Sequence, residues 1–293
     1  MTPLEAHLIC LALVAADFIA RAFRIQWILR GLRSRIGFGD AVTLNAFGDA
    51  ACALTPLRIG GEPARLGGML RAGVPAPAAF VAISFEVLAA WPVIIAAAGW
   101  LVWMAAPAWW AVAGPRLTAG AARAWPWLVL VGIASVAAWR GAGRLRTSLG
   151  RLLQRPLRRA RVYWRRMPVW PLLASAPCTL VDLVTRVAIL PVLAQTLPVP
   201  PPAGPLWVGS FALLYVQLLL PTPSGAGAVE LGFLGGAAGE LGGHEASLLL
   251  AWRFYTNAVG LILGVWLALR IYGWPTIRDA VRRVAARGRP AAP

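Results

Sequence analysis

The chain has 293 residues, of which 59% are hydrophobic and 13% charged, and its mean hydropathy is +0.68. A soluble domain carries about 45–50% apolar and about 25% charged residues, so this composition excludes a water-soluble globule and indicates an integral membrane protein. The formal net charge is +17, and all 28 basic residues are arginine. Because the arginines fall between apolar stretches, we expect them to meet lipid headgroups and expect no nucleic-acid partner.

Five apolar runs are candidates for membrane-crossing helices. A helix needs about 20 residues to cross roughly 30 Å of hydrocarbon. In chain order, the runs cover residues 4–23, 78–104, 125–139, 169–193 and 247–269. The third run is short, and two further apolar stretches, residues 41–70 and 206–241, are interrupted midway by proline and glycine. The sequence therefore predicts an all-α, polytopic membrane protein.

Arginine is concentrated in three of the connecting segments. Residues 21–35 hold five arginines, residues 140–166 hold ten and residues 270–289 hold six, whereas residues 105–124 hold two. Cytoplasmic connections retain arginine and lysine, so the three rich segments are expected inside. This distribution predicts a multi-pass protein of a bacterial-type plasma (inner) membrane, with its N-terminus outside and its C-terminus in the cytoplasm.

The two interrupted stretches are predicted to be broken helical hairpins that open toward opposite faces. With the orientation above, the first stretch enters the membrane from the cytoplasmic side and returns to that side. The second enters from the outer side and returns to that side. Each is either re-entrant or a pair of short spans. A non-helical break at membrane depth is tolerated only where protein or a watery cavity covers it, so the breaks are expected inside the protein.

One spacing recurs between the two halves of the sequence. The Asp-xxx-Arg pair at residues 17–21 has a counterpart at residues 182–186, and TPLRIGGE at residues 55–62 corresponds to TPSGAGAVE at residues 222–230. This self-similarity predicts an inverted repeat, the plan of many secondary transporters. The expected organisation is a membrane domain at 1–274, with repeat A at about 1–105, a linking helix at about 125–139 and repeat B at about 169–270, followed by a basic cytoplasmic tail at 275–293.

The breaks carry the residues that suit an anionic ligand. In the first break, Gly60 and Gly61 are expected to let the backbone turn tightly, and a half-helix restarts at Glu62 and Arg65. The second break repeats this order with prolines, glycines and a glutamate. Backbone N–H groups at a half-helix start, together with Arg58, suit a phosphate group. The alternative interpretation is that the glycines serve helix packing and the glutamates cap helix starts.

Ionisable side chains inside the apolar runs cost about 2.5–3.5 kcal/mol each on insertion scales and are usually paired. Asp182 and Arg186 are four residues apart and share one helix face, so they are expected to pair at mid-span. Arg253 is expected to meet Glu230 or Asp182. Glu86 is expected to meet one of the two arginines of the first break. The Asp-xxx-Arg pair of repeat A is interpreted either as functional or as an ion pair at the inner headgroups.

Known catalytic signatures are absent from the sequence. It contains no zinc-protease, P-loop or serine-hydrolase motif, and His7 and His244 lie far apart. We therefore expect no metal and no cofactor, and nothing indicates an enzyme. The candidate substrate-binding residues are Arg58, Gly61, Glu62, Arg65, Glu86, Asp182, Arg186, Gly225, Gly227, Glu230, Arg253 and Asn257.

Two motifs carry a resemblance to a known family. They are LTPLRIGGEPARLGGMLR at residues 54–71, and LPTPSGAGAVELGF at residues 220–233 followed by LLLAWRFYTNAVG at residues 248–260. With these motifs, nearly the whole chain resembles the lysylphosphatidylglycerol synthase transmembrane-region family, also described as flippase-like. The resemblance implies functional roles for Arg58, Gly61, Glu62 and Arg65 in the first motif, and for Pro223, Gly225, Gly227, Glu230 and Arg253 in the second.

The leading hypothesis is a protein that moves an anionic phospholipid or a polyprenyl-linked phosphate between leaflets. The aminoacyl-transferase domain of the synthases is not found in this sequence, so lysyl transfer by this chain alone is not expected. Two alternatives stay open. One is a membrane-embedded enzyme acting on lipid phosphates, and the other is a non-transporting partner subunit of a lipid-modifying transferase.

Overall fold

The described residues of the computed structural model form helices and no β-strand, so the predicted all-α class is confirmed. The structure describes residues 1–101, 103–104, 161–165, 167–218, 220, 222–236, 241 and 243–287. The predicted linking helix at about 125–139 lies outside these residues. The helices are α1 (Pro3–Gly31), α2 (Phe38–Leu54), α3 (Gly61–Arg71), α4 (Ala76–Leu101), α5 (Trp170–Ala194), α6 (Ala203–Val216), α7 (Ala228–Gly236), α8 (Glu245–Arg253) and α9 (Val259–Arg287).

Within the part of the chain that the structure describes, three helical stretches are long and apolar enough to cross a membrane. They are Ala76–Leu101, Trp170–Ala194 and Glu245–Gly273. The third runs through α8, a π-helical segment at Phe254–Ala258 and the first part of α9. Gly273 has a φ of 72° and interrupts the regular geometry of α9, and the helix then continues into the predicted basic tail. These stretches match three of the predicted runs and confirm an integral membrane protein.

Helix α1 is longer than the apolar run that predicted it. Its start is capped by Thr2, whose hydroxyl accepts the N–H of Glu5 at 3.3 Å, while the Glu5 carboxylate accepts the N–H of Thr2 at 2.9 Å. The helix then continues to Gly31. Arg21 and Arg24 are therefore buried within a helix, which corrects their assignment to an inner loop.

The helices pack into one bundle around α1 and α5, which run along one another. One apolar cluster surrounds Trp252, and a second surrounds Ile25 and Met69; all three side chains are fully buried. Helix α2 packs against α9 at Gly260, where an added Cβ would lie 2.9 Å from the Cβ of Asp49. A small residue is therefore needed wherever α9 approaches the first hairpin this closely.

The two interrupted stretches form the predicted helical hairpins, α2 with α3 and α6 with α7. The second arm of the first hairpin has 11 residues, about 16 Å at 1.5 Å per residue, so it is too short to cross the hydrocarbon. The tips of the hairpins meet. Pro56 and Pro223 form an isolated antiparallel bridge, and the Ser224 hydroxyl donates to the carbonyl of Ala53 at 3.5 Å.

The turn of the first hairpin differs from the prediction. Leu57 and Arg58, with φ values of 53° and 55°, adopt the left-handed conformation, whereas Gly60 has a φ of −71°. Gly61 is needed for another reason, since a Cβ there would overlap the sulfur of Cys52. The glycine pair thus lets the two arms approach each other and does not itself reverse the chain.

Candidate functional site

Charged side chains from five helices gather in the middle of the bundle. Asp17 lies 14 residues from either end of α1, and Asp182 lies 12 residues from either end of α5. These two carboxylates therefore lie at the middle of their helices. This cluster, the midpoint network, consists of Asp17, Arg21, Arg24, Asp49, Arg65, Glu86, Asp182 and Arg186.

One half of the midpoint network is built around Asp17. Its carboxylate accepts from Arg21 Nη2 at 2.7 Å and from Arg186 Nη2 at 3.1 Å. Arg186 Nε donates to the other oxygen of Asp17 at 3.2 Å and lies 2.9 Å from Asp182 Oδ1 in an ion pair. Asp49 of the first hairpin accepts two hydrogen bonds from Arg21, at 2.9 and 2.8 Å. The bidentate pair is the stronger type of charge-assisted contact, and it ties the first hairpin to α1.

The other half of the network centres on Glu86. Arg24 Nη2 lies 2.7 Å from one oxygen of Glu86, and Arg24 Nη1 lies 3.2 Å from Asp182. The other Glu86 oxygen accepts from Arg65 of α3. Arg24 also donates to the Thr179 hydroxyl at 3.3 Å. Glu86 therefore bridges α1 and the second arm of the first hairpin.

Carboxylates and guanidiniums alternate along the network, four of each, so its formal charge is zero when all are ionised. Burying an unpaired charge is costly, and removing one partner of a buried pair leaves the other uncompensated. Asp17, Arg21, Arg24 and Glu86 are at most 6% exposed. The network is therefore a mutually compensated unit, and it accounts for how so many charges are accommodated inside a membrane protein.

Arg58 has different surroundings at the point where the hairpin tips meet. Its guanidinium donates from Nη1 to Gln217 Oε1 at 3.1 Å and to Asn257 Oδ1 at 3.3 Å. Within the described residues it forms no ion pair with a carboxylate. This region, with Pro56 and Pro223, is the hairpin junction. It contains a partly buried cation held by neutral amides, beside the network but not part of it.

The second hairpin has its own ion pair. Arg253 Nη2 lies 2.6 Å from Glu230, and Arg253 Nη1 donates to the Ser224 carbonyl at 2.8 Å. The sequence predicted that Arg253 would meet Glu230 or Asp182, and the structure shows the first pairing. Glu230 also accepts from the Gly227 N–H at 2.6 Å and so caps the start of α7. Gly225 and Gly227 have φ values of 67° and 86°, so both turn the chain as predicted.

Glu62, the matching glutamate of the first hairpin, has different surroundings. The Glu62 side chain is 50% exposed and lies 3.5 Å from Arg65. Arg65 instead pairs with Glu86. This is one of the two pairings predicted for Glu86. Glu62 therefore lies at the edge of the network, whereas Glu230 is tied to a half-helix start.

No three or more His, Cys, Asp or Glu side chains of the described residues are grouped in a way that could hold a metal ion. The midpoint network and the hairpin junction present guanidiniums, carboxylates and amides, of which the guanidiniums can bind oxyanions. No activated nucleophile with an adjacent base is found among these side chains.

A comparison with protein-family models matches residues 2–264 to the lysylphosphatidylglycerol synthase TM region. The chain belongs to this family. The match covers both hairpins and every residue of the midpoint network, and together with the apolar helices it establishes an integral membrane protein of a lipid-related family. No curated protein and no solved structure matches the chain.

Five charged or amide side chains of this family member's site were not among the sequence candidates. Arg24 and Asp49 belong to the midpoint network, and Gln217 holds Arg58 at the hairpin junction. Asp17 and Arg21, whose position was left open, are buried at the centre of the network and are not an ion pair at the headgroups. A signal for this face was present, since residues 17, 21 and 24 follow the i, i+4, i+7 spacing of one helix face.

Proposed function

We propose that this protein moves an anionic phospholipid, or a lipid-linked phosphate, between the leaflets of the membrane. The observation that carries the proposal is Arg58 at the hairpin junction, a partly buried guanidinium with two neutral partners and no ion pair among the described residues. A phosphate oxygen makes a stronger, charge-assisted hydrogen bond to guanidinium than an amide oxygen does. An anionic headgroup that reaches the junction is therefore favoured over both amides.

The backbone around the junction supports an anion in the same place. Helices α3 and α7 begin just after the two tips, at Gly61 and Ala228. The N-terminal end of a helix carries a partial positive charge and free N–H groups, which favour a negative ligand. Glu230 already occupies the Gly227 N–H at one of these starts, so a headgroup there has to displace or share a carboxylate.

The position of the charges fits passage across the membrane. Ionisable groups inside a membrane are costly and usually mark substrate or ion pathways. The midpoint network lies beside the junction, at half the length of α1 and α5. We therefore assign the junction to headgroup binding and the network to holding the helices that surround it.

The proposal includes a location and an architecture. The arginine distribution along the sequence supports a bacterial-type inner membrane, with the N-terminus outside and the C-terminus inside. Two helical hairpins whose tips meet are consistent with an inverted repeat in which residues 1–105 and 169–270 are the two copies. Rocking of one copy against the other would expose the junction to alternate sides.

The test is a headgroup-movement assay in reconstituted vesicles. The vesicles consist of phosphatidylcholine with a minor fraction of fluorescent phosphatidylglycerol, and a membrane-impermeant reductant reports the label that reaches the outer leaflet. Charge-assisted hydrogen bonds are worth about 1.5–3 kcal/mol, so Arg58→Gln is expected to slow movement about tenfold or more. The matched control is Arg71→Gln, which removes an arginine from the exposed pair with Asp40.

Each outcome of this assay has a clear meaning. Slow movement by Arg58→Gln with normal movement by Arg71→Gln supports the proposal. Equal rates for wild type and Arg58→Gln contradict it. Mass spectrometry of the vesicle lipids separates transport from catalysis, because a new lipid product formed by the purified chain would replace the transport proposal with a membrane-embedded enzyme.

A further inference from the structure

An apolar groove lies between α4, α5 and α6. It has a volume of about 1480 Å³ and is lined by the second half of α4, the middle of α5 and the first part of α6. Among the described residues that line it, none is charged. Sites for drug-sized ligands measure about 300–1,000 Å³. The groove is therefore large enough for a long apolar molecule, and it suits such a molecule better than a polar one.

The groove is about as long as one leaflet is thick. Its wall on α4 extends from Pro92 to Leu101, about 14 Å at 1.5 Å per residue, and its wall on α6 extends from Gly204 to Ala212, about 12 Å. Half of a typical hydrocarbon core is about 15 Å. An acyl chain that lies along these helices therefore matches the groove in length.

One end of the groove is next to the midpoint network. Leu183 and Val187 line the groove, and each directly follows a charged residue of the network, Asp182 and Arg186. Asp182 is 12 residues from either end of α5, so the groove reaches the middle of this helix. Successive side chains of a helix point about 100° apart. Helix α5 therefore presents charges to the network and apolar side chains to the groove.

Helix α6 joins the groove to the hairpin junction. Phe211 lines the groove, and Gln217, whose amide oxygen accepts from Arg58, follows six residues later, just after the end of the helix. Six residues correspond to about 9 Å along a helix, which is less than the thickness of one leaflet. A lipid whose headgroup is bound by Arg58 therefore has the groove within reach of its chains.

The groove supplies position more than affinity. Lipid chains are as apolar as leucine, so moving a chain from the bilayer into the groove gains little free energy from burial. A chain held in the groove keeps its headgroup near Arg58, and holding a group in place raises the rate of the step that follows. Filling the groove should therefore slow headgroup movement.

We propose that this groove binds the acyl chains of the lipid while its headgroup passes Arg58. The occupant is a lipid chain because the groove is lined by apolar side chains, matches one leaflet in length and continues along α6 to a residue that holds Arg58. This inference rests on the function proposed above for the position of the headgroup. It adds a second site for the same lipid.

Two glycines allow the groove to be filled without a clash. Gly204 and Gly209 line it, and a Cβ added at either position would meet nothing within 4 Å. Gly209→Leu therefore places a side chain in the groove without displacing a neighbour. The matched control is Gly99→Leu in α4, because a Cβ at Gly99 also meets nothing within 4 Å and this residue does not line the groove.

The first test locates the acyl chains. The purified full chain is reconstituted in phosphatidylcholine vesicles with a minor fraction of phosphatidylglycerol that carries a photoreactive diazirine near the end of one chain, and mass spectrometry identifies the labelled residues. We expect label on the groove walls, and excess unlabelled phosphatidylglycerol should reduce it. Gly209→Leu should lower this label about fivefold or more, the lower end of what overpacking costs a fitted site, whereas Gly99→Leu should not. Leu173, which is 70% exposed and lies outside the groove, reports contact with bulk lipid.

Three labelling results would overturn the inference. If unlabelled phosphatidylglycerol does not compete, or a phosphatidylcholine probe labels the groove equally, the groove holds only bulk lipid. If Leu173 is labelled and the groove is not, another occupant fills it, such as the apolar run at residues 125–139 of this chain. Equal label in Gly209→Leu and wild type also contradicts binding in the groove.

The headgroup-movement assay separates this inference from the proposed function. Gly209→Leu is expected to move phosphatidylglycerol more slowly than Gly99→Leu, and equal rates overturn the inference. Wild type that moves the lipid without competed label in the groove overturns the inference and leaves the proposed function standing. Wild type that does not move the lipid overturns the proposed function, whereas competed label would still identify the groove as a lipid site. Labelling of wild type decides the question even if Gly209→Leu does not fold.

Discussion

The midpoint network and the hairpin junction place arginine in opposite surroundings. In the network, each guanidinium lies against at least one buried carboxylate, and Arg24 lies against two. At the junction, Arg58 is held by the amides of Gln217 and Asn257. The difference between the two regions is therefore one of hydrogen-bond and ion-pair partners.

This difference separates two uses of the same residue type. A guanidinium whose charge is already compensated joins helices and has little to offer an incoming anion. A guanidinium held only by neutral groups keeps its charge available. The comparison therefore predicts that variants in the network change stability first, whereas variants at the junction change binding and movement first.

The largest expected effect follows from Glu86→Gln. This change keeps the shape of the side chain but removes the charge that faces both Arg24 and Arg65, in a side chain only 3% exposed. Breaking a buried ion pair by removing one partner costs about 3–5 kcal/mol. Thermal unfolding in detergent measures the loss. The control is Asp40→Asn, which breaks an exposed pair worth about 0–1 kcal/mol, and equal losses in the two variants would contradict the comparison.

A smaller loss is expected from Gly61→Ala, which tests the fit between the arms of the first hairpin. The new methyl group would overlap the sulfur of Cys52, and overpacking of this kind costs about 1–3 kcal/mol. Gly67→Ala is the matched control in the same helix, because nothing lies within 4 Å of a Cβ at that position. The same unfolding assay applies. Adding Cys52→Ala to Gly61→Ala should recover part of the loss, and no recovery would locate the strain elsewhere.

The smallest effect is expected from Glu62→Gln, compared with Glu230→Gln in the matching position. Glu62 is half exposed and 3.5 Å from its arginine, so its loss should change stability by less than about 0.5 kcal/mol. Glu230 pairs at 2.6 Å and caps α7, so its loss should cost about 1 kcal/mol. Unfolding of both variants under one condition compares them, and a larger loss for Glu62→Gln would reverse the assignment.

Much of the fold could be predicted because particular residue types mark the places where its helices are interrupted. Proline and glycine interrupt the apolar stretches at residues 41–70 and 206–241, and the hairpins turn at those interruptions. The pairing of Glu230 with Arg253 was also predictable, since few charges of opposite sign were within reach. In these cases a local rule and the tertiary structure agree.

The centre of the site was harder to predict for a physical reason. Arginines near the end of an apolar run look alike whether they meet headgroups or carboxylates, so Arg24 was counted with the loop although α1 continues to Gly31. Asp49 is a single acid in an apolar hairpin, and its partner Arg21 is 28 residues away. Gln217 is neutral and gives no charge signal. Only the packing of α1 against the hairpins reveals these contacts.

The π-helical segment at Phe254–Ala258 lets one continuous membrane stretch contact both hairpins. Before it, Arg253 faces the tip of the second hairpin; after it, Gly260 faces the first hairpin at Asp49. A π turn accommodates one more residue than an α turn, so deleting a residue there would rotate all that follows by about 100° relative to what precedes it. Such a deletion would leave both faces chemically unchanged, yet only one of them could remain in register with its partner.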